Sequence, residues 1–214
     1  MGCDIHLYVE RNEGGNWAQA LPPADWCSNR LERTTKEIKS YDQGKWFWDR
    51  HYELFAWLAD VRNYHDQEPL ADKRGLPENV SAPVKAESDD YGCDGHSHTW
   101  FTVAELMAGL EGLVAKHGGA INVIDYAEWK ASGSAFPRSW CKSSSAPNIS
   151  EADFAAGKRP QIEKGSPLAW ALFTIECAWE VPGRVAFERF SKLLAELTKL
   201  GDPKDTRLVF WFDD

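Results

Sequence analysis

Apolar and polar residues alternate without a break over residues 3–10. Cys3, Ile5, Leu7 and Val9 fall on one side, and Asp4, His6, Tyr8 and Glu10 on the other. A period of two is the signature of a half-buried strand. Residues 207–212 repeat the signal near the other end of the chain, setting Leu208, Phe210 and Phe212 against Val209, Trp211 and Asp213. Isolated strand pairs are marginal in water, so both segments are expected in one sheet with further neighbours. Between them, Gly14-Gly15 predicts a turn, residues 16–20 a return strand, and Pro22-Pro23 its end.

The period then changes. Tyr52, Phe55, Ala56, Leu58, Ala59 and Arg62, entered through the aromatic stretch 45–50, suit an amphipathic helix. Residues 63–92 are polar, hold three prolines and include Arg74-Gly75-Leu76-Pro77. They read as a long loop or insertion, which in a compact domain is usually functional. Thr102-Val103-Ala104-Glu105 is a capping box ahead of a Leu106, Leu110, Leu113, Val114 stripe, with Gly118-Gly119 as the stop. Residues 125–130 predict a short helix, and Ser150-Glu151-Ala152-Asp153 predicts another N-cap. Residues 168–179 fit a buried strand or a buried helix, with Ser166-Pro167 favouring a helix start. Phe187, Phe190, Leu194 and Leu197 mark a last amphipathic helix, ended by Gly201 and Pro203. The pattern predicts a single α+β domain with a central, mainly antiparallel sheet that contains both terminal strands.

Composition narrows the class. The 214 residues are 43% apolar, enough for a core and too many for a disordered chain. A net charge of -9 argues against a nucleic-acid duplex as partner, since such binding relies on cations neutralising phosphates. No stretch reaches the roughly 18 apolar residues of a membrane span, and the N-terminus lacks a secretory pattern. A cytoplasmic protein is expected, its five cysteines free thiols or metal ligands. Eleven tryptophans are an unusual load, for packing plugs or for a groove.

Candidate chemistry lies in one pattern used twice. Cys3-Asp4-Ile5-His6 reappears as Cys93-Asp94-Gly95-His96, followed by Ser97 and His98. In extended chain, residues two apart project from one face, so Asp4 and His6 would converge, as would Asp94, His96 and His98. Those five are the expected ligands of a divalent ion (Zn, Mn or Fe), with the cysteines lying behind. A metal-bound hydroxide makes a hydrolase, in particular a phosphoesterase on a nucleotide or other small anion, with Arg62 or Arg74 holding the anion. Two alternatives stay open. Cys3, His6, Cys93 and His96 would make a closed structural zinc site if both segments curl. The same residues would form a metal-free polar network if Cys3 is buried and Asp4 is hydrogen-bonded to a loop. Asp213 and Asp214 join the site only if the terminal strands pair, and otherwise form a solvated acidic end.

Met-Gly-Cys-Asp-Ile-His at the start, the segment from Arg50 through His51-Tyr52-Glu53-Leu54-Phe55 to Ala56, Val61-Arg62-Asn63, Arg74-Gly75-Leu76-Pro77, His96-Ser97 with Trp100, and the closing Arg207-Leu208-Val209-Phe210-Trp211-Phe212-Asp213 together resemble a family of bacteriophage and prophage proteins. No segment of residues 121–178 takes part in the likeness. The family carries no activity to transfer. The resemblance implies a phage product in the host bacterial cytoplasm, either an enzyme of nucleotide or host-signal metabolism or an acidic, Trp-rich protein that binds and inhibits a host defence factor.

Overall fold

The computed structural model describes residues 2–23, 45–47, 49–142, 146–160 and 173–214. These group into two compact units, one formed by Met1–Leu113 with Ala186–Asp214 and the other by Val114–Val185.

The first unit is built on the expected sheet. Strand β1 (Asp4–Glu13) turns back through Gly14 and Gly15 into β2 (Asn16–Ala20), and β3 (Lys45–Phe47) pairs with β1 at Leu7 and Tyr8. The last strand, β8 (Thr206–Asp213), lies antiparallel to β1 from Asp4↔Asp213 to Arg11↔Thr206. Strand β4 (His96–Thr102) pairs with the far edge of β8, giving the order β2-β1-β8-β4. Both terminal strands therefore occupy the middle of an antiparallel sheet, as the alternation predicts.

Each face of this sheet has its own cover. Ile5, Leu7, Leu208, Phe210 and Phe212 are almost wholly buried. Phe55 of helix α1 (Tyr52–Ala59) meets Phe212 edge-on at 5.0 Å, and Phe190 of α7 (Glu188–Leu197) meets Phe47 at 5.7 Å. Helix α3 (Val103–Glu111) also packs against β8, opened by the predicted capping box: Thr102 accepts from the Glu105 N–H while Glu105 accepts from the Thr102 N–H. The opposite face carries Tyr8, Val209 and Trp211. It is covered by Val84 of α2 (Ala82–Tyr91), with Leu76, Val80, Tyr91 and Trp100 around it.

Helix α2 lies inside the stretch expected to be a long loop. Its mean hydropathy is low and only Val84 and Ser88 are buried, so a helical period hardly registers in the sequence. What fixes it is Pro at its start and the sheet beneath it.

The second unit has a three-stranded sheet, β5-β7-β6. Strand β5 (Val114–Asn122) runs antiparallel to β7 (Thr174–Pro182), and β6 (Asn148–Ser150) runs parallel to β7. Helices α4 (Val123–Ser132) and α5 (Glu151–Ala155) are capped by Asn122 and Ser150. The short α6 (Gly183–Ala186) follows β7.

Three expectations change here. Gly118-Gly119 does not stop a helix, because α3 ends at Gly112 and residues 114–122 are strand. A Cβ on Gly119 would stand 2.7 Å from the Cys141 carbonyl oxygen, so the glycine admits the bridge between Ala120 and Cys141. His117 accordingly sits in a strand, stacked on Trp179, rather than at a helix C-terminus. Residues 174–179 are strand, not helix: buried Ile175, Cys177, Trp179 and Val181 alternate with exposed neighbours. Residues 166–172 lie outside the described residues.

Candidate metal centre

The two Cys-Asp-x-His copies reach the sheet on either side of β8, and their histidines are then divided by it. Paired residues of adjacent strands share a face, and successive residues alternate. His6 pairs with Trp211 and His96 pairs with Phe212, so the two imidazoles lie on opposite faces. Within β4 the register slips between His96 and Thr99, and Ser97 takes a left-handed φ of 54°. This bulge overturns the expected alignment of His96 with His98. His96 stacks on Phe212 at 6.2 Å, whereas His98 stacks on Trp211 at 5.6 Å. Asp94 precedes the strand altogether, in an exposed turn whose N–H bonds to the Tyr91 carbonyl.

The other expected ligands have different partners. Asp4 accepts two hydrogen bonds from Arg50, at 2.6 and 2.7 Å, which hold its carboxyl below the usual range. His6 is 2% exposed, with Nε2 3.3 Å from Asp213 and Nδ1 3.0 Å from the Tyr91 hydroxyl. Nε2 faces that carboxylate outside hydrogen-bonding geometry, while Nδ1 and the Tyr91 hydroxyl share a hydrogen bond. Burial, with the nearby Lys45 charge, pushes the His6 pKa down to about 4. His98 lies 2.9 Å from the Ser88 hydroxyl, and burial lowers its pKa too. Cys93 is exposed and faces Asp94 at 3.9 Å. Cys3, His6, Cys93 and His96 are thus not gathered around one point.

A different trio is gathered. Donor atoms of Cys3, His96 and Asp214 all lie within 4.8 Å of one another, the group of this kind found among the described residues. The register explains it: one step beyond Asp4↔Asp213, Cys3 comes opposite Asp214, and His96 reaches them from across β8. Cys3 is buried, and its N–H donates to the Tyr52 hydroxyl at 3.2 Å. Arg62 lends Nη2 to the Asp214 carboxylate at 2.6 Å from a left-handed φ of 52°. Arg74 is elsewhere, bonded through both terminal nitrogens to Glu105.

The trio suits metal ligation better than a nucleophile relay. A Cys–His–carboxylate relay needs both ring nitrogens in line, one on the thiol and one on the carboxylate. His96 spends Nδ1 on the Ser97 hydroxyl at 3.1 Å and directs Nε2 toward Asp214 at 3.8 Å. That Nε2 is buried without a hydrogen-bond partner among the described residues. Burial and the Asp214 charge also push the Cys3 thiol up to about 11, far from a free thiolate at neutral pH. A cation among these groups would satisfy the orphaned nitrogen and stabilise the thiolate. The side chain of Ser97 behind Nδ1 fixes the ring, as outer hydrogen bonds do for ligating histidines.

No family model matches the chain, no curated protein matches it, and no solved structure matches it.

Proposed function

We propose that Cys3, His96 and Asp214 hold a divalent metal ion, and that the protein is a metal-dependent hydrolase acting on a small anionic substrate such as a phosphoester. The observation that supports this most directly is the orphaned His96 Nε2, 3.8 Å from the Asp214 carboxylate, in a residue cluster that includes the Cys3 thiol. One sulfur, one nitrogen and one oxygen suit zinc or iron, and the thiol disfavours manganese. Three protein donors leave a coordination position open, the arrangement of catalytic rather than structural zinc sites. A bound ion supplies a water acidic enough to ionise near neutral pH.

Arg62 has a double part in this reading. It neutralises Asp214 in the absence of a cation, and it turns toward the substrate anion once Asp214 is engaged elsewhere. Its side chain is 28% exposed, so its guanidinium can reach both solvent and the carboxylate. The planar fork then binds phosphate or carboxylate bidentately.

Metal content of untagged protein, measured after dialysis against zinc or ferrous iron, tests the site apart from any activity. About one equivalent is expected for the wild-type chain and less than about a tenth for Cys3→Ser, His96→Ala or Asp214→Asn. His6→Ala should keep its metal. Wild-type protein that retains less than a tenth of an equivalent sinks the proposal, as does an undiminished content in His96→Ala.

A further inference from the structure

On the Tyr8 and Trp211 face of the sheet, toward Glu10, lies a cleft of about 540 Å³. It is lined by Trp17, Arg74, Leu76, Pro77, Glu78, Asn79, Trp100 and Arg207, and shares no residue with the metal centre. Its walls alternate cation and ring. The Arg74 guanidinium stands 4.9 Å from the Trp100 ring, and that of Arg207 stands 4.0 Å from Trp17 and 5.5 Å from Trp100. Both indoles are half-buried, leaving part of their surface to the cleft.

Neither arginine has a charge to spare. Arg207 is buried and bonds Glu10 through Nε and Nη2, the Asn79 side-chain oxygen through Nη1, and the Asn79 carbonyl through Nη2. Arg74 is likewise matched by Glu105. A phosphate or carboxylate would therefore find no unpaired cation in the lining. The cleft favours a neutral, flat molecule that stacks on indole and on the exposed Arg74 guanidinium.

The rim supplies direction. Glu78 and Asn79 form the tip of a turn closed by the Val80 N–H on the Pro77 carbonyl. The turn is pinned from below, because Glu10 accepts the Ser81 N–H at 2.6 Å and Arg207 grips Asn79. Among the described residues the Glu78 carboxylate has no partner, and Asn79 uses only its two oxygens, leaving its amide N–H groups free. A carboxylate beside an amide donor is complementary to two adjacent N–H groups next to a carbonyl.

We propose that this cleft binds a neutral heteroaromatic base with a guanine-like edge, at the level of a nucleoside: the ring stacks on the open indole surface of Trp17 and Trp100 and on the Arg74 guanidinium, Glu78 accepts the ring N–H and exocyclic amine, and Asn79 donates to the carbonyl. Adenine offers no such adjacent donor pair, so the rim discriminates against it. The inference is independent of the metal reading, since it uses neither its residues nor its chemistry.

Titration of the full chain with guanosine, adenosine and maltose tests it, followed by calorimetry and by the indole N–H resonances of Trp17 and Trp100, assigned through Trp17→Phe and Trp100→Phe. Guanosine should bind saturably and shift both resonances, at least about tenfold more tightly than adenosine. Glu78→Gln, a change at an exposed side chain without partners, should weaken guanosine about tenfold or more and leave adenosine unchanged. The proposal is overturned by guanosine that gives no saturable shift, by equal affinity for the two nucleosides, by maltose binding in their place, or by an unaltered guanosine affinity in Glu78→Gln.

Discussion

A neutral imidazole is what the surroundings of His6 require. It sits between Tyr91, 4.2 Å away between ring centres, and Trp211, with Lys45 nearby, and the Asp213 and Asp4 carboxylates do not offset the cost of charging it. Its pKa is depressed to about 4 in the folded protein and returns to about 6.5 on unfolding, so between those values the unfolded chain binds the extra proton. The contribution to stability is complete above about pH 6.5 and is lost as the pH falls toward 4, amounting to about 3 kcal/mol at most. Denaturant unfolding of the wild type and of His6→Gln across that window measures it. The wild type should lose the larger amount of stability on acidification, and parallel curves would remove His6 from the account. The same residue shows what the sequence carries and what it hides. That His6 and His96 matter locally follows from their crowding with Cys and Asp. Which of those neighbours share a face depends on strand register, and nothing in Cys3 or Asp214 alone discloses it.

Among the elements, β4 decides the character of the candidate metal centre. A regular strand would put His96 and His98 together, and the bulge at Ser97 sends them to separate faces. A left-handed φ is tolerable for serine and costly for a β-branched residue. Ser97→Val should destabilise the protein by about 1–3 kcal/mol and loosen the metal, since it also removes the hydroxyl behind His96 Nδ1. Ser97→Gly should cost much less in stability while still weakening metal retention. Thermal unfolding with metal analysis separates the two effects, and a Val variant as stable as wild type would argue against a strained bulge. Strands and helices with strong periods, such as β1, β8, α3 and α7, are legible in the sequence. Helix α2 and strand β7 are not, because α2 buries only two side chains and the start of the apolar run before β7 suits either structure.

On the scale of the molecule, residues Val114–Val185 form their own compact unit within the chain. Its first and last strands are partners, with Val114 opposite Pro182 about 5 Å away across the ladder, so β7 ends beside the point of entry, three residues before the unit's last residue. Replacing Val114–Val185 by a short Gly-Ser linker should leave the five-stranded sheet folded and the Cys3, His96, Asp214 centre able to take up about one equivalent of metal. Circular dichroism, cooperative unfolding and metal content provide the check. A shortened chain that fails to unfold cooperatively would show that the two units depend on one another. Sequence reading gives the α+β class and the pairing of the terminal strands here, because both rest on alternation. The second sheet escapes it, since β5 carries Gly118-Gly119 where a strand former is expected.

The pairing of β1 with β8 also sets a timetable for synthesis. Asp4 and Asp213 are partners 209 residues apart, and every pair in that ladder spans most of the chain. At the usual pace of translation, roughly 5–20 residues per second, β1 waits on the order of 10–40 s for the strand that completes it. Throughout that interval Ile5, Leu7 and Val9 lack the ladder that buries them, and Cys3 lacks Asp214. Local helices form early while the sheet's central seam closes late, which makes folding slow for a chain of this size. A nascent chain halted before residue 206 therefore offers the open β8-facing edge of β1 to chaperones and to other chains. The Cys3, His96 and Asp214 cluster is likewise complete only in chains translated through Asp214.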